Sequence, residues 1–242
     1  MRIKVVNPNT TASMTALIGE CARAVAGPGV VIEAVNPAAG PASIESHYDD
    51  ALSVPGVLAE IAAGERDGVD AYVIACFGDP GLLAARELAS GPVIGIAEAA
   101  MRTATYLGRS FSVVTTLART IGHTRELAAR YGVAGQCAGV HACGIPVLGL
   151  ETDPLARSVL LDACREALES DGSDVLVLGC AGMADLCEML GDELGVPVVD
   201  GVAAAVATAR SLVELGLRTS TREEFATPLP KLFSGELAPF TL

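Results

Sequence analysis

The chain has 242 residues, enough for one large domain or two of modest size; 51% are apolar and only 4% aromatic, so the core must be built from Val, Leu, Ile and Ala, as in parallel strands buried under helices. A formal charge of −13 argues against a nucleic-acid surface, which needs clustered Lys and Arg. Met1 leads directly into strand-like sequence instead of a basic and then apolar leader, and no run approaches the roughly 20 apolar residues of a membrane helix, so a cytoplasmic protein without membrane contact is expected.

In chain order, RIKVV (2–6) reads as a first buried strand, and NPNTTASM supplies Asn, Thr and Ser where a helix over 13–25 should begin. VVIEAVNP, from Val30, is the next strand, followed by the loop AAGPASIES; loops at strand C-termini are where open α/β sheets bind ligands. Residues 54–67 have helical spacing and feed DAYVIACFGDPGLLAAREL (70–88), where an almost continuous apolar run delivers Cys76 to a strand-to-helix turn. Free backbone N–H groups and the positive end of a helix dipole at such a turn favour thiolate over thiol. PVIGIAEAA, from Pro92, reads as a strand and MRTATYLG (101–108) as a helix.

The chain then repeats itself. VVTT (113–116) stands where VVNP (5–8) stood, and SDVLVLGCAGMADLCEML (173–190) repeats the first cysteine stretch, with Asp174 six positions before Cys180 as Asp70 is six before Cys76. The interval from Val6 to Cys76 is 70 residues and that from Val114 to Cys180 is 66, which indicates duplication. Between these landmarks lie helix HTRELAARYG, strand-like GVHACGIPVL and a helix starting near Thr152 or Asp153 ahead of Pro154. PVVDGVAAA, from Pro197, matches PVIGIAEAA, and an alanine-rich helix past Gly201 precedes a tail from Thr219, an arm or a lid.

Several chemistries are missing. There is no GxxxxGK[ST], GxGxxG after a strand, GxSxG or HExxH. His47, His123 and His141 are scattered in surface or capping contexts, so no metal site is expected. Lys4 and Lys231 are the only lysines and neither stands at a strand end, which disfavours pyridoxal phosphate. Seven cysteines without CxxC spacing read as reduced thiols; Cys21, Cys137, Cys143, Cys164 and Cys187 read as small apolar filler. Cys76 and Cys180 differ, because each is followed two residues later by glycine, Gly78 and Gly182, where backbone can approach a ligand closely. Two units facing each other would put one thiol on each face of a planar carbon acid: one takes a proton from the carbon beside a carbonyl and the other returns one from the opposite side, without a cofactor. Asp79 reads as a cap for the helix after Cys76.

NPNTT, GPASIES, VIACFGDPGL, VVTT and LGCAGM together resemble the aspartate/glutamate/hydantoin racemase superfamily, within it the hydantoin racemases, with allantoin racemases as close relatives. The resemblance implies two Rossmann-like α/β domains related by a pseudo-twofold axis, residues 1–98 with 203–242 and residues 99–202, and an active site in the cleft between them. It also implies a homo-oligomer, and Cys76 and Cys180 as the two acid/base residues. Asn9, Ser43, Ile44, Phe77, Thr115, Thr116 and Ala181 would bind substrate, with backbone N–H groups around Gly78 and Gly182 holding ring carbonyls. The amino-acid racemases of the superfamily carry Asn-Thr and Thr-His after their cysteines, where Phe77 and Ala181 stand here. With no Lys or Arg in the pocket loops, the expected substrate is a small neutral cyclic ureide with an apolar substituent, a 5-monosubstituted hydantoin. Allantoin racemisation and a two-cysteine cis–trans isomerase stay open, as does a binding protein whose cysteines only line a cleft.

Overall fold

The computed structural model describes residues 1–241. Two parallel four-stranded sheets follow one another along the chain. The first contains β1 (Arg2–Val6), β2 (Val31–Val35), β3 (Ala71–Ile74) and β4 (Val93–Gly95) in the order β2-β1-β3-β4; the second contains β5 (Phe111–Thr115), β6 (Cys137–Ala142), β7 (Val175–Leu178) and β8 (Val198–Val199) in the order β6-β5-β7-β8. The same topology twice is the duplication read from the sequence. It extends to register: Val6 pairs with Ile74 and Val114 with Leu178, so each cysteine lies two residues beyond an equivalent rung. Asp70 and Asp174 share a role as well. Asp70 accepts the Arg2 amide at 2.7 Å, and Asp174 accepts the Arg109 and Ser110 amides at 2.8 and 3.2 Å, each pinning the entry to the central strand of its sheet.

The helices are α1 (Ala12–Ala26), α2 (His47–Arg66), α3 (Leu82–Leu88), α4 (Ile96–Leu107), α5 (Ile121–Arg130), α6 (Gly149–Thr152), α7 (Ala156–Asp171), α8 (Cys187–Leu194) and α9 (Gly201–Glu214). α1 turns Met14, Ile18 and Ala22, four residues apart, into the first core. α2 begins two turns before the expected 54–67, because Ser46 caps it by accepting the Asp49 amide at 3.2 Å; Pro55 lies inside the helix. α7 starts after Asp153, whose carboxylate accepts the Leu155 amide at 2.9 Å. Lys4 is buried among carboxylates, 3.5 Å from Glu33 and 3.1 Å from Glu60.

Two helices cross between the halves. α4 leaves the first sheet and buries Ala97, Ala100, Met101 and Ala104 against Phe111, Val113, Val175 and Val177 of the second. α9 leaves the second sheet and buries Val202, Ala205, Val206 and Ala209 with Ile3, Val5 and Ile18 of the first. The helices meet where they begin: a side chain at Gly201 would sit 2.8 Å from the Ile96 carbonyl oxygen, so only glycine permits this approach.

Their N-termini are capped by different devices. Asp200 caps α9 directly, accepting the Val202 and Ala203 amides at 3.0 and 2.7 Å. The matching position before α4 is Gly95, and the carboxylate there comes from Asp79: its oxygens accept the Ala97 and Glu98 amides at 3.0 Å each and the Tyr131 hydroxyl at 2.6 Å. Any Cβ on Gly95 would collide with that carboxylate. Asp79 therefore caps α4 and not the helix after Cys76, and the expected helix over 101–108 starts at Ile96 instead, leaving only three residues of PVIGIAEAA as strand. Burial pushes the Asp79 carboxyl up to about 6 against the pull of its three donors.

Asp79→Ala should lower the free energy of unfolding by about 3 kcal/mol, since it orphans two buried amides and a hydroxyl. Tyr131→Phe should cost about 1 kcal/mol in the wild-type background and nothing measurable once Asp79 is alanine. Urea unfolding of the double-mutant cycle checks both; independent, additive losses would contradict the assigned contact.

Candidate active site

In each sheet the order reverses beside its first strand, and ligands of open α/β sheets bind outside the strand C-termini at such a point. The first sheet brings there the loop after β1 with Asn9 and the turn after β3 with Cys76; the second brings Thr115 and Thr116 at the end of β5 and Cys180 after β7. All five line one cavity of about 180 Å³ between the halves, below the roughly 300–1,000 Å³ of sites for drug-sized ligands. Ile44, Phe77, Gly78 and Ala181 also line it.

Ser43 and Gly182 do not. Ser43 directs its hydroxyl to Glu45, 3.4 Å away, leaving the wall to Ile44. Gly182 sits behind Cys180 in a short 3-10 turn, packed near Leu150 and Met14. The Gly78 and Gly182 backbones each lower the pKa of the cysteine two residues before them, against the effect of burial.

Burial disfavours the thiolate: it pushes Cys76 strongly up, with Asp50, Cys180 and Asp79 adding to the shift, and pushes Cys180 up to about 11. This works against the resting thiolate expected from the local turn. Its premise fails at Cys76, because α3 begins only at Leu82 and its N-terminus lies too far along the chain to support that sulfur. Cys180 stands directly before the 3-10 turn Ala181–Leu186 and is raised less, only Cys143 and Glu45 adding to burial there.

Asn9 is oriented by its neighbours. Its carbonyl oxygen accepts from Asn7 and from the Thr11 amide, both at 2.9 Å, which leaves the NH₂ beside the cavity with only Met14 Sδ at 3.2 Å. Thr115 and Thr120 share a hydroxyl contact of 2.9 Å on the opposite side. Two clasps close the cleft: Glu45 accepts the Val147 amide at 2.8 Å, and Glu151 accepts the Ser13 hydroxyl at 2.8 Å.

The wall facing α2 and α5 is more polar than the sequence suggested. His47, Asp50, Arg119, Thr120, His123 and Thr124 all line the cavity, so two histidines assigned to the surface, and an arginine where none was expected, face the ligand space. His123 reaches the Gly78 carbonyl at 3.3 Å and stands edge-to-face with His47, ring centroids 5.3 Å apart. The expectation of an apolar substituent rested on the absence of such groups and loses that support. Only the spacing of His47 and Asp50 within the first turn of a helix, and of Arg119 and His123 one turn apart, hinted at them. Among the described residues no group of three His, Cys, Asp or Glu side chains could hold a metal ion, and no helix is long and apolar enough to cross a membrane.

Residues 3–209 match the family described as Asp/Glu/Hydantoin racemase. The chain belongs to that family. It is 50% identical to hydantoin racemase of Rhizobium meliloti over 97% of this chain and 98% of that one, and 41% identical to hydantoin racemase of Paenarthrobacter aurescens over 96% and 100%. Among solved structures, allantoin racemase from Klebsiella pneumoniae superposes with a TM-score of 0.97 at 53% identity, covering 100% of this chain and 99% of that one. Arylmalonate decarboxylase, at 19% identity and a TM-score of 0.61, shares the fold. The chain is thus an isomerase of the racemase class, with its cleft at the junction of two repeated α/β halves.

For this racemase, iodoacetamide should label Cys180 slowly at pH 7, with a rate rising about tenfold per pH unit toward pH 10 as thiolate forms, and Cys76 more slowly still. Peptide mass spectrometry across that range checks it. Fast labelling of both that is independent of pH would contradict the shifts.

Proposed function

We propose that the chain racemises 5-monosubstituted hydantoins at C5, without a cofactor, by two-base proton transfer between Cys76 and Cys180. In this reading the cleft separates a first unit, residues 1–98 with 203–242, from a second, residues 99–202. The observation that carries it is that thiols from equivalent strand ends of two repeated halves line a single small cavity. The names of the relatives, hydantoin racemases at 50% and 41% identity, support the substrate class.

A hydantoin is neutral, and its C5–H lies between a carbonyl and a nitrogen, so the carbanion left by deprotonation is delocalised as an enolate. One cysteine, as thiolate, takes the C5 proton into a new S–H bond. The other, as thiol, delivers its proton to the opposite face and becomes the thiolate. No proton is gained or lost, and the pair is left poised for the mirror-image substrate. Raised thiol pKa values make the ionised sulfur scarce but a stronger base once formed. The Asn9 NH₂, unspent on protein oxygen, and Thr116 line the cavity as donors for the enolate oxygen.

A second reading, allantoin as the substrate, is favoured by the polar wall of His47, Asp50, Arg119 and His123 and by the 53% identical allantoin racemase. Allantoin is itself a 5-monosubstituted hydantoin, its substituent a ureido group, and the chemistry at C5 is unchanged.

Cys76→Ser and Cys180→Ser should each abolish racemisation, followed as decay of optical rotation. In deuterated water, one variant should still exchange C5–H of one enantiomer and the other variant that of its mirror image. Wild-type racemisation by Cys180→Ser would end the two-base reading.

A further inference from the structure

The Asp50 carboxylate is left over by both the fold and the chemistry at C5. It projects from the first turn of α2 into the cavity wall, and its Oδ1 is enclosed with no hydrogen-bond partner among the described residues. The groups around it are committed elsewhere: Ser46 donates to Asp49 at 2.7 Å, and the His123 ring nitrogen meets the Gly78 carbonyl. Oδ1 lies against the turn that carries Cys76, 2.8 Å from where a Cβ on Gly78 would sit, so glycine there admits the carboxylate to the wall. Burial raises the Asp50 carboxyl above its ordinary range, and His123, His47 and Arg130 only partly offset this. An enclosed acceptor without a donor costs free energy. Its natural partner is a donor that arrives with the ligand.

The ring itself has other partners, Asn9, Thr115 and Thr116 at the strand ends beside the two sulfurs. Asp50 stands beside the turn after Cys76, on the wall shared with His123 and Arg119. We propose that Asp50 selects the substrate by its substituent: its carboxylate accepts a hydrogen bond from an N–H carried on the C5 side chain, so a ureido-bearing ring is preferred to an alkyl-bearing one. The inference rests on the racemase reading above and deepens it. Alkyl substituents leave the oxygen unpaired in the complex as in the free enzyme, whereas a ureido group offers up to three N–H donors.

The test measures racemisation of allantoin and of 5-methylhydantoin, which share the ring and C5–H, by the wild type, Asp50→Ala and Asp50→Asn. Asp50→Ala should reduce kcat/KM for allantoin, relative to 5-methylhydantoin, on the order of ten- to a hundredfold, mostly through KM, as expected for a hydrogen bond to a charged acceptor. Asp50→Asn, which retains one acceptor oxygen, should fall between. Thermal midpoints of both variants should be no lower than the wild type's, since an unpaired carboxylate has been removed. Equal losses on the two compounds, or a lowered midpoint with both activities lost, would overturn the assignment while leaving the racemase reading intact. A wild type inert on both compounds would instead remove that reading and this inference with it.

Discussion

The spacing of two thiols across a cleft depends on how one half of the chain is fixed to the other, and the Asp79 carboxylate is the joint. It lies three residues after Cys76, caps the helix that crosses to the second sheet, and accepts the hydroxyl of Tyr131 at the end of a second-half helix. One buried group thereby ties the Cys76 turn to the body that carries Cys180. The left-handed backbone at Asp79, φ 48°, belongs to the same constraint: it aims the side chain across the cleft floor and not along α3. Three donors and the dipole of α4 offset the cost of burying the charge.

The burial that fixes geometry also sets reactivity. Removing the sulfurs from water raises both thiols, and each keeps one backbone N–H as partial compensation. A solvent-exposed thiolate would be plentiful but a weaker base, and open to oxidation. The enclosed pair holds its protons more firmly, and charge on Cys180 raises Cys76 further through space, so double ionisation is disfavoured. A pair that resists double ionisation carries at most one thiolate at a time, the state from which a two-base exchange starts.

The duplication was legible because parallel strands buried on both faces write near-continuous apolar runs, and the end of each run is unmistakable. Hence the matched intervals to Cys76 and Cys180 and the shared topology could be anticipated, while the place of Asn9, Ile44, Thr115 and Thr116 in the cavity followed from the resemblance of NPNTT, GPASIES and VVTT to the racemase superfamily. What stayed hidden depends on contacts far apart in sequence. Nothing in PVIGIAEAA signals a helix start, because the cap is supplied from Asp79 and Gly95 only makes room for it. His47 and His123 read as surface or capping residues, and nothing in the sequence singled out Asp50 or Arg119, since a cleft wall built from two helix ends carries no periodicity of its own. The upward push on the thiols could not be read from the sequence, because the local turn was legible while the enclosure by the other half was not.

A duplicated frame supplies opposed groups, but its substrate has no matching symmetry. A hydantoin presents two different ring edges and a single substituent, and a racemase must hold both hands of it with the ring in one orientation. The repeat accordingly keeps what must be equivalent, the strand ends with their sulfurs and glycine amides, and abandons equivalence elsewhere. Asn9 and Asn7 on one side face Thr115 and Thr116 on the other. Asp50 and the two histidines gather on the wall facing α2 and α5, while Met14 and Val147 line the cavity elsewhere with apolar surface. If the ring is held in one orientation for either enantiomer, inversion takes the C5 proton from one face to the other while the substituent swings through the ring plane along that one wall. The ring then need not turn over between half-reactions, and the two thiols can alternate as base and acid without the ligand leaving the cleft.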